Sequence, residues 1–280
     1  MTASLSPVES AYVAGLIDGE GCIYAGKTAK GLLVQLQIIS TSRGFLEAFR
    51  LLVGGGIVRA CSKPLRPRHR QRWVWSTALT ETKRVLTQCL SYLVIKREQA
   101  ELVLALTKEN ASATLTRMRQ LNKRGPTLDS VALPVPVPDK SLKIQPTDIE
   151  AAYLCAIIDG EGSFSLRRTK SRMTKRNIWQ KESVSCAVRV SNTARSLMQF
   201  LAKFGYGTVS ITPRPHKDAE TQKPVYEWAI GKKDTLQLWP SMRYLILKAE
   251  RASVFENYLK TASNACIDVL QLKNMRGVTP

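Results

Sequence analysis

The chain has 280 residues, enough for two domains of ordinary size, and 44% apolar with 23% charged residues is typical of a globular protein. Lys and Arg together number 42 against 22 Asp and Glu, which gives a formal net charge of +20. This excess favours a polyanionic partner, because phosphates neutralised by basic side chains release counterions. Charge alone leaves a nucleic-acid-binding protein, a ribosomal-type protein and a membrane-surface protein equally open.

The composition makes several kinds of site unfavourable. The six cysteines contain no CxxC pair, which predicts reduced and mostly buried thiols in an intracellular protein. With only two histidines, a zinc site built from His and Cys is unfavourable. The chain has no apolar run of about 18 residues and no signal-peptide pattern, so we expect no membrane partner. The expected location is an organelle (mitochondrion or chloroplast) or the bacterial cytoplasm, which the sequence does not distinguish.

A segment near the N-terminus recurs in the second half of the chain. Residues 11–21 read AYVAGLIDGEG, and residues 152–162 read AYLCAIIDGEG. Each copy follows a capping box, in which a hydroxyl residue precedes a glutamate by three positions: Ser6 with Glu9, and Thr147 with Glu150. The pattern predicts a helix that begins at each box and ends at the DGEG sequence.

The segments that follow each copy repeat in the same order: strand, helix, glycine turn, strand and two helical segments. In the first half these are Leu33–Ile38, Arg43–Val53, Gly54–Gly56, Val74–Ser76, Leu93–Lys96 and Gln99–Ala100. In the second half they are Val184–Val190, Arg195–Phe204, Gly205–Gly207, Tyr226–Ile230, Leu245–Lys248 and Arg251–Ala252. The chain is therefore predicted to contain two structurally similar halves.

A proline-rich segment separates the two halves. Five prolines fall between residues 125 and 146, and proline stiffens an extended linker because it cannot continue a helix. We predict a first repeat over 1–124, a linker over 125–146 and a second repeat over 147–260. Residues 261–280 have no partner in the first half and are predicted to form a helical turn and a frayed C-terminal extension.

Small residues recur every fourth position in both repeated helices and share one face. They are Ala11, Gly15 and Gly19 in the first copy, and Ala152, Ala156 and Gly160 in the second. Because small faces allow helix backbones to approach closely, we expect the two helices to form an interface across a pseudo-two-fold axis.

This packing would bring Glu20 and Glu161 together at the helix C-termini, where like charges and the helix dipole make two carboxylates unfavourable without a cation. Oxygen ligands and scarce histidines favour a hard divalent cation such as Mg²⁺. The alternative is that DGEG only ends a helix and its acids are solvated. That alternative is stronger for one copy of the motif than for two.

The two segments resemble the LAGLIDADG motif of the LAGLIDADG homing endonucleases, in the form that carries two motifs in one chain. The resemblance implies an α+β fold of pseudo-symmetric tandem αββαββα repeats, with two curved antiparallel DNA-binding sheets and a central two-helix interface. It also implies hydrolysis of both strands of a long, asymmetric double-stranded DNA site, with short 3′ overhangs, in support of intron or intein mobility.

The resemblance assigns roles to individual residues. Glu20 and Glu161 would be the catalytic, metal-binding acids, assisted by the carbonyls of Gly19 and Gly160. The supporting catalytic residues would be Lys96, Lys248, Ser40 and Asn192. The implied cofactor is Mg²⁺, with Mn²⁺ as a substitute and Ca²⁺ binding without supporting cleavage. In the second copy, Ala156 stands where the motif usually has glycine.

Two segments dense in basic residues, 63–75 and 167–181, are predicted to lie as hairpins against DNA. Arg and Lys would read guanine or hold phosphate, and Gln would read adenine. For any one residue, a solvated loop or a pure phosphate contact is an equal alternative. The predicted DNA contacts are Gln35, Gln37, Arg66, Arg68, Arg70, Arg72, Arg167, Arg168, Lys170, Arg189 and Lys223.

Two other functions remain compatible with the same motifs. One is an RNA-binding maturase that helps an intron fold, which leaves intron RNA open as a second partner. The other is a DNA-binding regulator that has lost catalysis. Because both motif acids are intact, cleavage is favoured. We expect a monomer that binds double-stranded DNA and needs no protein partner.

Overall fold

The structure is a computed structural model, and it describes residues 4–29, 31–61, 70–122, 135, 142–169, 172–173, 179–180, 183–212 and 224–261. The first half contains α1 (Pro7–Glu20), β1 (Gly21–Thr28), β2 (Gly31–Ser40), α2 (Arg43–Val53), β3 (Ile57–Ala60), β4 (Trp73–Ser76), α3 (Leu79–Cys89), a 3₁₀ turn (Leu90–Tyr92), α4 (Arg97–Leu104) and α5 (Ala111–Leu121). Every helix within these ranges is too short or too polar to span a lipid bilayer.

The second half repeats this order of elements, except that it adds two short strands and that its described residues contain no counterpart of α5. It contains α6 (Asp148–Glu161), β5 (Gly162–Thr169), β6 (Arg172–Met173), β7 (Trp179–Gln180), β8 (Ser183–Asn192), α7 (Arg195–Ala202), β9 (Thr208–Thr212), β10 (Val225–Gly231), α8 (Lys232–Leu238), a 3₁₀ turn (Trp239–Tyr244) and α9 (Ala249–Thr261). The helix predicted to reach residue 204 therefore ends two residues earlier, at Ala202.

Each half has one four-stranded antiparallel sheet of the same topology. The strand orders are β1-β2-β4-β3 and β5-β8-β10-β9, and β6 pairs with β7 as a separate two-stranded sheet. The first residue after each central helix begins a strand in the same way, with Gly21 opposite Ile38 and Gly162 opposite Val190. The predicted α+β fold of two pseudo-symmetric repeats is confirmed.

The helices α1 and α6 form the centre of the molecule. Both capping boxes are present, since Ser6 and Thr147 accept from the backbone of Glu9 and Glu150, whose carboxylates accept in return. Residues 10–18 and 151–159 are buried on every side. A helix that is apolar all round belongs in a core. The buried side chains of both halves accordingly form one continuous apolar core around this pair.

The small faces of α1 and α6 lie against each other, which confirms the predicted two-helix interface. A Cβ added to Gly15 would lie 2.7 Å from the carbonyl oxygen of Tyr153 and 2.8 Å from the Cβ of Ala156. Ala11, Ala152 and Ala156 are fully buried. Gly15 is therefore required by the close approach of the α6 backbone, and the methyl group of Ala156 occupies the space opposite it.

The segments Leu93–Lys96 and Leu245–Lys248, which we predicted to be helical, are not helices. They are short connections, in which Leu93 and Leu245 are extended, with ψ values of 130° and 131°. The helices begin after them, at Arg97 and Ala249. The physical reason is that most of their backbone N–H groups donate to buried aspartate carboxylates of α1 and α6 instead of to helix carbonyls: those of Val94, Ile95, Lys96, Ile246 and Lys248.

The described end of the proline-rich linker lies against the second half. The Ile144 backbone N–H donates to the Phe204 carbonyl at 3.1 Å, and the Gln145 amide donates to the Tyr206 hydroxyl at 2.7 Å. Val135 is buried. The rest of the linker and residues 262–280 lie outside the described residues, so the domain boundaries at 124, 146 and 260 stay predictions.

Candidate active site

Glu20 and Glu161 lie at junctions between a central helix and a sheet. Each is the last residue of its helix, and the following glycine is already extended, with φ −74° and ψ 149° at Gly21. A Cβ on Gly21 would lie 2.5 Å from the Ile17 carbonyl oxygen, and one on Gly162 would lie 2.6 Å from that of Ile158. Glycine thus allows the chain to pass from helix to strand without a loop, which holds each carboxylate at the edge of the core.

The two carboxylate side chains lie across the ends of each other's helices. A Cβ added to Gly160 would lie 3.0 Å from the Cγ of Glu20, and one added to Gly19 would lie 3.5 Å from the Cγ of Glu161. The pKa of Glu161 is raised, first by burial and then by the charge of Glu20, although nearby lysines and a hydrogen bond oppose the rise. The contribution of Glu20 to this pKa shift is consistent with two like charges held close together, as the small helix faces predict.

Asp18 and Asp159 form a second pair of acids beneath the glutamates, and the residue pattern predicted no role for them. They are 2% and 1% exposed, respectively. Asp18 accepts from the backbone N–H groups of Val94, Ile95 and Lys96, and from the Tyr153 hydroxyl. Asp159 accepts from the backbone N–H groups of Ile246 and Lys248, and from the Tyr12 hydroxyl. Repetition of Asp and Tyr in both motif copies was the only sequence signal for them.

Lys96 and Lys248 cap the C-termini of the central helices. Lys96 Nζ donates to the carbonyls of Ile17 at 2.7 Å and Asp18 at 2.5 Å. Lys248 Nζ donates to the carbonyls of Ile158 at 2.6 Å, Asp159 at 2.7 Å and Gly160 at 3.3 Å. The carbonyls of Ile17 and Ile158 also accept from the backbone N–H groups of Gly21 and Gly162. All five carbonyls lie in the last turn of a helix, where an ammonium group is favourable at that end of the dipole.

Burial changes the proton affinity of both lysines. It lowers the pKa of Lys96, while the nearby carboxylates of Asp18 and Glu161 oppose the effect. It lowers the pKa of Lys248 to about 8, against the opposing charges of Asp159, Glu20 and Glu161. The two ammonium groups therefore stand within electrostatic reach of the paired glutamates.

A cleft of about 580 Å³ opens beside Glu20, and both halves of the chain line it. Its lining includes Glu20, Ser40, Arg70 and Arg72 from the first half, and Gly160, Lys248 and Arg251 from the second. Glu20 thus shares a cleft with the lysine of the other half. Three of the six predicted catalytic residues, Glu20, Ser40 and Lys248, therefore line one cleft that both halves form.

Ser40 and Asn192 occupy equivalent positions at the ends of β2 and β8. The Ser40 hydroxyl accepts from the Ser42 backbone N–H at 3.1 Å, and the Asn192 side-chain oxygen accepts from the Ala194 N–H at 2.8 Å. Asn192 also donates through its amide nitrogen to Glu161 at 3.2 Å. The two sites therefore differ, since the amide orients Glu161 whereas Ser40 lines the cleft beside Glu20.

Some predicted DNA contacts lie on the sheet faces turned away from the core. Gln35 and Gln37 alternate with buried residues on β2, and Gln37 donates to Gln35 at 2.9 Å. Arg189 is exposed on β8, and its guanidinium lies 3.5 Å from the carboxylate of Glu227. Arg70 and Arg72 line the cleft.

The side chains of the other predicted contacts lie outside the described part of the structure. Arg167 and Arg168 belong to β5, but the structure describes only their backbone. The other four predicted contacts lie outside the described residues: Arg66, Arg68, Lys170 and Lys223.

No family model matches the chain, and no curated protein matches its sequence. Solved structures do match it over nearly its whole length. The LAGLIDADG meganuclease I-AabMI bound to uncleaved DNA has a TM-score of 0.64 at 17% identity, covering 97% of this chain and 99% of that chain. The LAGLIDADG homing endonuclease I-LtrWI bound to target DNA has a TM-score of 0.64 at 15% identity, covering 95% and 97%.

A third match is I-SmaMI bound to an uncleaved DNA target in the presence of calcium ions, with a TM-score of 0.60 at 17% identity over 99% of this chain and 94% of that chain. Likeness at these identities establishes the fold. The chain therefore has the two-motif, single-chain fold of the LAGLIDADG homing endonucleases.

Proposed function

We propose that this protein is a site-specific endonuclease that hydrolyses both strands of double-stranded DNA. The observation that carries the proposal is the pair of glutamates held together at the ends of α1 and α6. Each lies near a lysine whose ammonium group donates to the C-terminal carbonyls of a central helix. The fold is shared with homing endonucleases whose structures were solved on DNA. The net charge of +20 suits a polyanionic substrate.

The residues at the paired helix ends fit a hard divalent cation. Burial and the like charge of Glu20 raise the pKa of Glu161, so a cation between the two carboxylates would relieve a repulsion already present. Within the described ranges no cluster of three or more Asp, Glu, His or Cys side chains could hold a metal by itself. Mg²⁺ suits such an incomplete set, because it commonly keeps waters and takes ligands from substrate phosphates.

The residues of the site would have three roles: holding the cation, stabilising phosphate charge and orienting the acids and solvent. Glu20 and Glu161, with the carbonyls of Gly19 and Gly160, would hold the cation, which when bound neutralises phosphate charge and activates a water. Lys96 and Lys248 would place positive charge beside the phosphate. The amide of Asn192 would orient Glu161, and Ser40 would position solvent beside Glu20.

The finer parts of the proposal extend the same chemistry. We infer that Mg²⁺ is the working ion, that Mn²⁺ substitutes for it, and that Ca²⁺ binds without supporting cleavage; I-SmaMI was solved on uncleaved DNA with calcium ions. Short 3′ overhangs, service to intron or intein mobility, action as a monomer and an organellar or bacterial cytoplasmic location belong to the same proposal.

The test begins with the selection of cleavable sites from a randomised DNA library in the presence of Mg²⁺. On a selected site, Glu20→Gln and Glu161→Gln should each lower double-strand cleavage by about 100-fold or more, because each removes a charged cation ligand. DNA binding should persist in both variants. The control is Glu109→Gln, which changes an exposed acid between α4 and α5 and should cleave normally. Cleavage at the wild-type rate by either active-site variant would contradict the proposal.

A further inference from the structure

Two hydrogen bonds cross the interface between the halves and end on acids that the proposed chemistry does not use. The Tyr153 hydroxyl of α6 donates to Asp18 of α1 at 2.7 Å, and the Tyr12 hydroxyl of α1 donates to Asp159 of α6 at 2.6 Å. All four residues are buried. Burial and the adjacent aspartate raise the pKa of each tyrosine, so both hydroxyls remain donors. Each half thus supplies the tyrosine for the other half's aspartate.

Each of these aspartates also holds the backbone segment that leads to an active-site lysine. Asp18 accepts from the N–H groups of Val94 at 2.7 Å, Ile95 at 3.1 Å and Lys96 at 2.8 Å. A buried carboxylate is tolerated only with such partners, and successive N–H groups of a non-helical segment need an acceptor. The carboxylate therefore replaces the helix hydrogen bonds that this segment lacks.

The lysine side chain closes the arrangement. Lys96 Nζ returns to the carbonyl of Asp18, so that one residue holds Lys96 at both its backbone nitrogen and its ammonium group. The second half repeats this geometry, since Asp159 accepts from the Lys248 N–H at 2.8 Å and its carbonyl accepts from Lys248 Nζ at 2.7 Å. A lysine fixed at two points has little freedom to leave its place.

We propose that Tyr153–Asp18 and Tyr12–Asp159 are crossed positioning pairs, in which a tyrosine of one half places the lysine of the other. Because Lys248 and Glu20 line one cleft, α1 supplies both Tyr12 and Glu20 to that site. By pseudo-symmetry, α6 supplies Tyr153 and Glu161 to the site of Lys96. Neither half then contains a complete site. This inference rests on the proposed nuclease function.

The first test is strand-resolved nicking by Tyr12→Phe and Tyr153→Phe, each of which deletes one hydroxyl. Loss of an outer hydrogen bond of this kind costs about 10- to 100-fold in metal sites, and we expect a loss of that size on one DNA strand only. The two variants should slow opposite strands. Lys96→Met and Lys248→Met assign the strands, and Tyr153→Phe should share the strand preference of Lys96→Met.

The matched control is Tyr206→Phe. Tyr206 is also a buried tyrosine with a hydrogen-bonded hydroxyl, which accepts from the Gln145 amide, but it lies outside the α1–α6 interface. It should leave both strand rates and DNA affinity unchanged, even if thermal stability falls. A general loss of stability would slow both strands together, which separates a positioning role from a structural one.

The second test needs neither DNA nor a divalent ion. Amide hydrogen exchange in the free protein should become faster at residues 94–96 in Tyr153→Phe, and faster at Ile246 and Lys248 in Tyr12→Phe, with the other segment unchanged. Unchanged exchange in both segments, or equal slowing of both strands by both variants, would overturn the inference. If the wild-type protein cuts no DNA while the exchange pattern appears as expected, the proposed function fails and the positioning pairs stand.

Discussion

At the scale of single residues, the two halves place the same residue types in different surroundings. Glu161 is half-buried and receives a hydrogen bond from Asn192, whereas Glu20 is exposed at the edge of the cleft. Lys248 donates to three helix carbonyls, and Lys96 donates to two. The two halves therefore share a fold but differ in the surroundings of their acids and lysines, so we expect the two DNA strands to be cut at unequal rates.

The lowered pKa of Lys248 predicts a pH-dependent contribution to stability. Between about 8 and the ordinary lysine value of 10.5, the folded protein has released a proton that the unfolded chain keeps. The free energy of unfolding should therefore rise with pH through this window, because the unfolded state binds more protons. Urea titrations from pH 7 to 10 measure the free energy of unfolding of the wild type and of Lys248→Met. The wild-type value minus the variant value gives the contribution of Lys248 at each pH. A difference that stays constant or falls with pH would contradict the shift.

At the scale of elements, the central helices pack closely because small residues line their contact, above all Gly15, which has no side chain. The α6 backbone approaches so closely that a side chain at Gly15 would meet the carbonyl oxygen of Tyr153. Because α1 and α6 are both buried all round, neither helix can move aside without disturbing the core of the whole molecule.

Gly15→Ala should therefore destabilise the fold by about 1–3 kcal/mol, the usual cost of overpacking a filled core. Gly19→Ala is the matched stability control, because its Cβ would lie no closer than 3.5 Å to another atom. That substitution should be neutral or should stabilise by about 0.5–1 kcal/mol, since alanine is the better helix former. Urea unfolding midpoints separate the two outcomes, and equal stability of the two variants would refute the tight contact.

At the scale of the whole molecule, the net charge of +20 favours binding of the proposed substrate, a long polyanion. If six or more phosphates are contacted, affinity for DNA should fall by about 10³-fold or more between 50 and 200 mM salt. A fluorescence titration at several salt concentrations gives the slope. A flat dependence would count against binding along both sheets.

Single substitutions locate the phosphate contacts on the protein. Arg72→Gln, in the cleft, should reduce the slope of log affinity against log salt by about 1 if its guanidinium neutralises one phosphate. Arg243→Gln is the control, because Arg243 pairs with Asp148 at the opposite end of α6 from Glu161. The same change of slope in both variants would show that the effect is not local to the cleft.

Much of this architecture could be predicted from the residue pattern. The capping boxes, the small helix faces and the matched order of elements predicted both halves, because each depends on contacts only a few positions apart. The segments that contain Val94 and Ile246 were predicted as helices, and this was wrong. Their apolar residues have helical spacing, but the acceptors for their N–H groups belong to another helix.

The residue pattern was sufficient to predict two similar halves, each with an acid at the end of a small-faced helix, since local periodicity specifies a helix and its face. Which residues share a site depends on the packing of the two halves. The two tyrosine–aspartate hydrogen bonds between the halves join residues that are separated by 135 and 147 positions in the chain. Glu20 shares a cleft with Lys248 of the other half. Such contacts depend on the close approach of α1 and α6, which allows buried tyrosines, aspartates and lysines to satisfy one another across the interface.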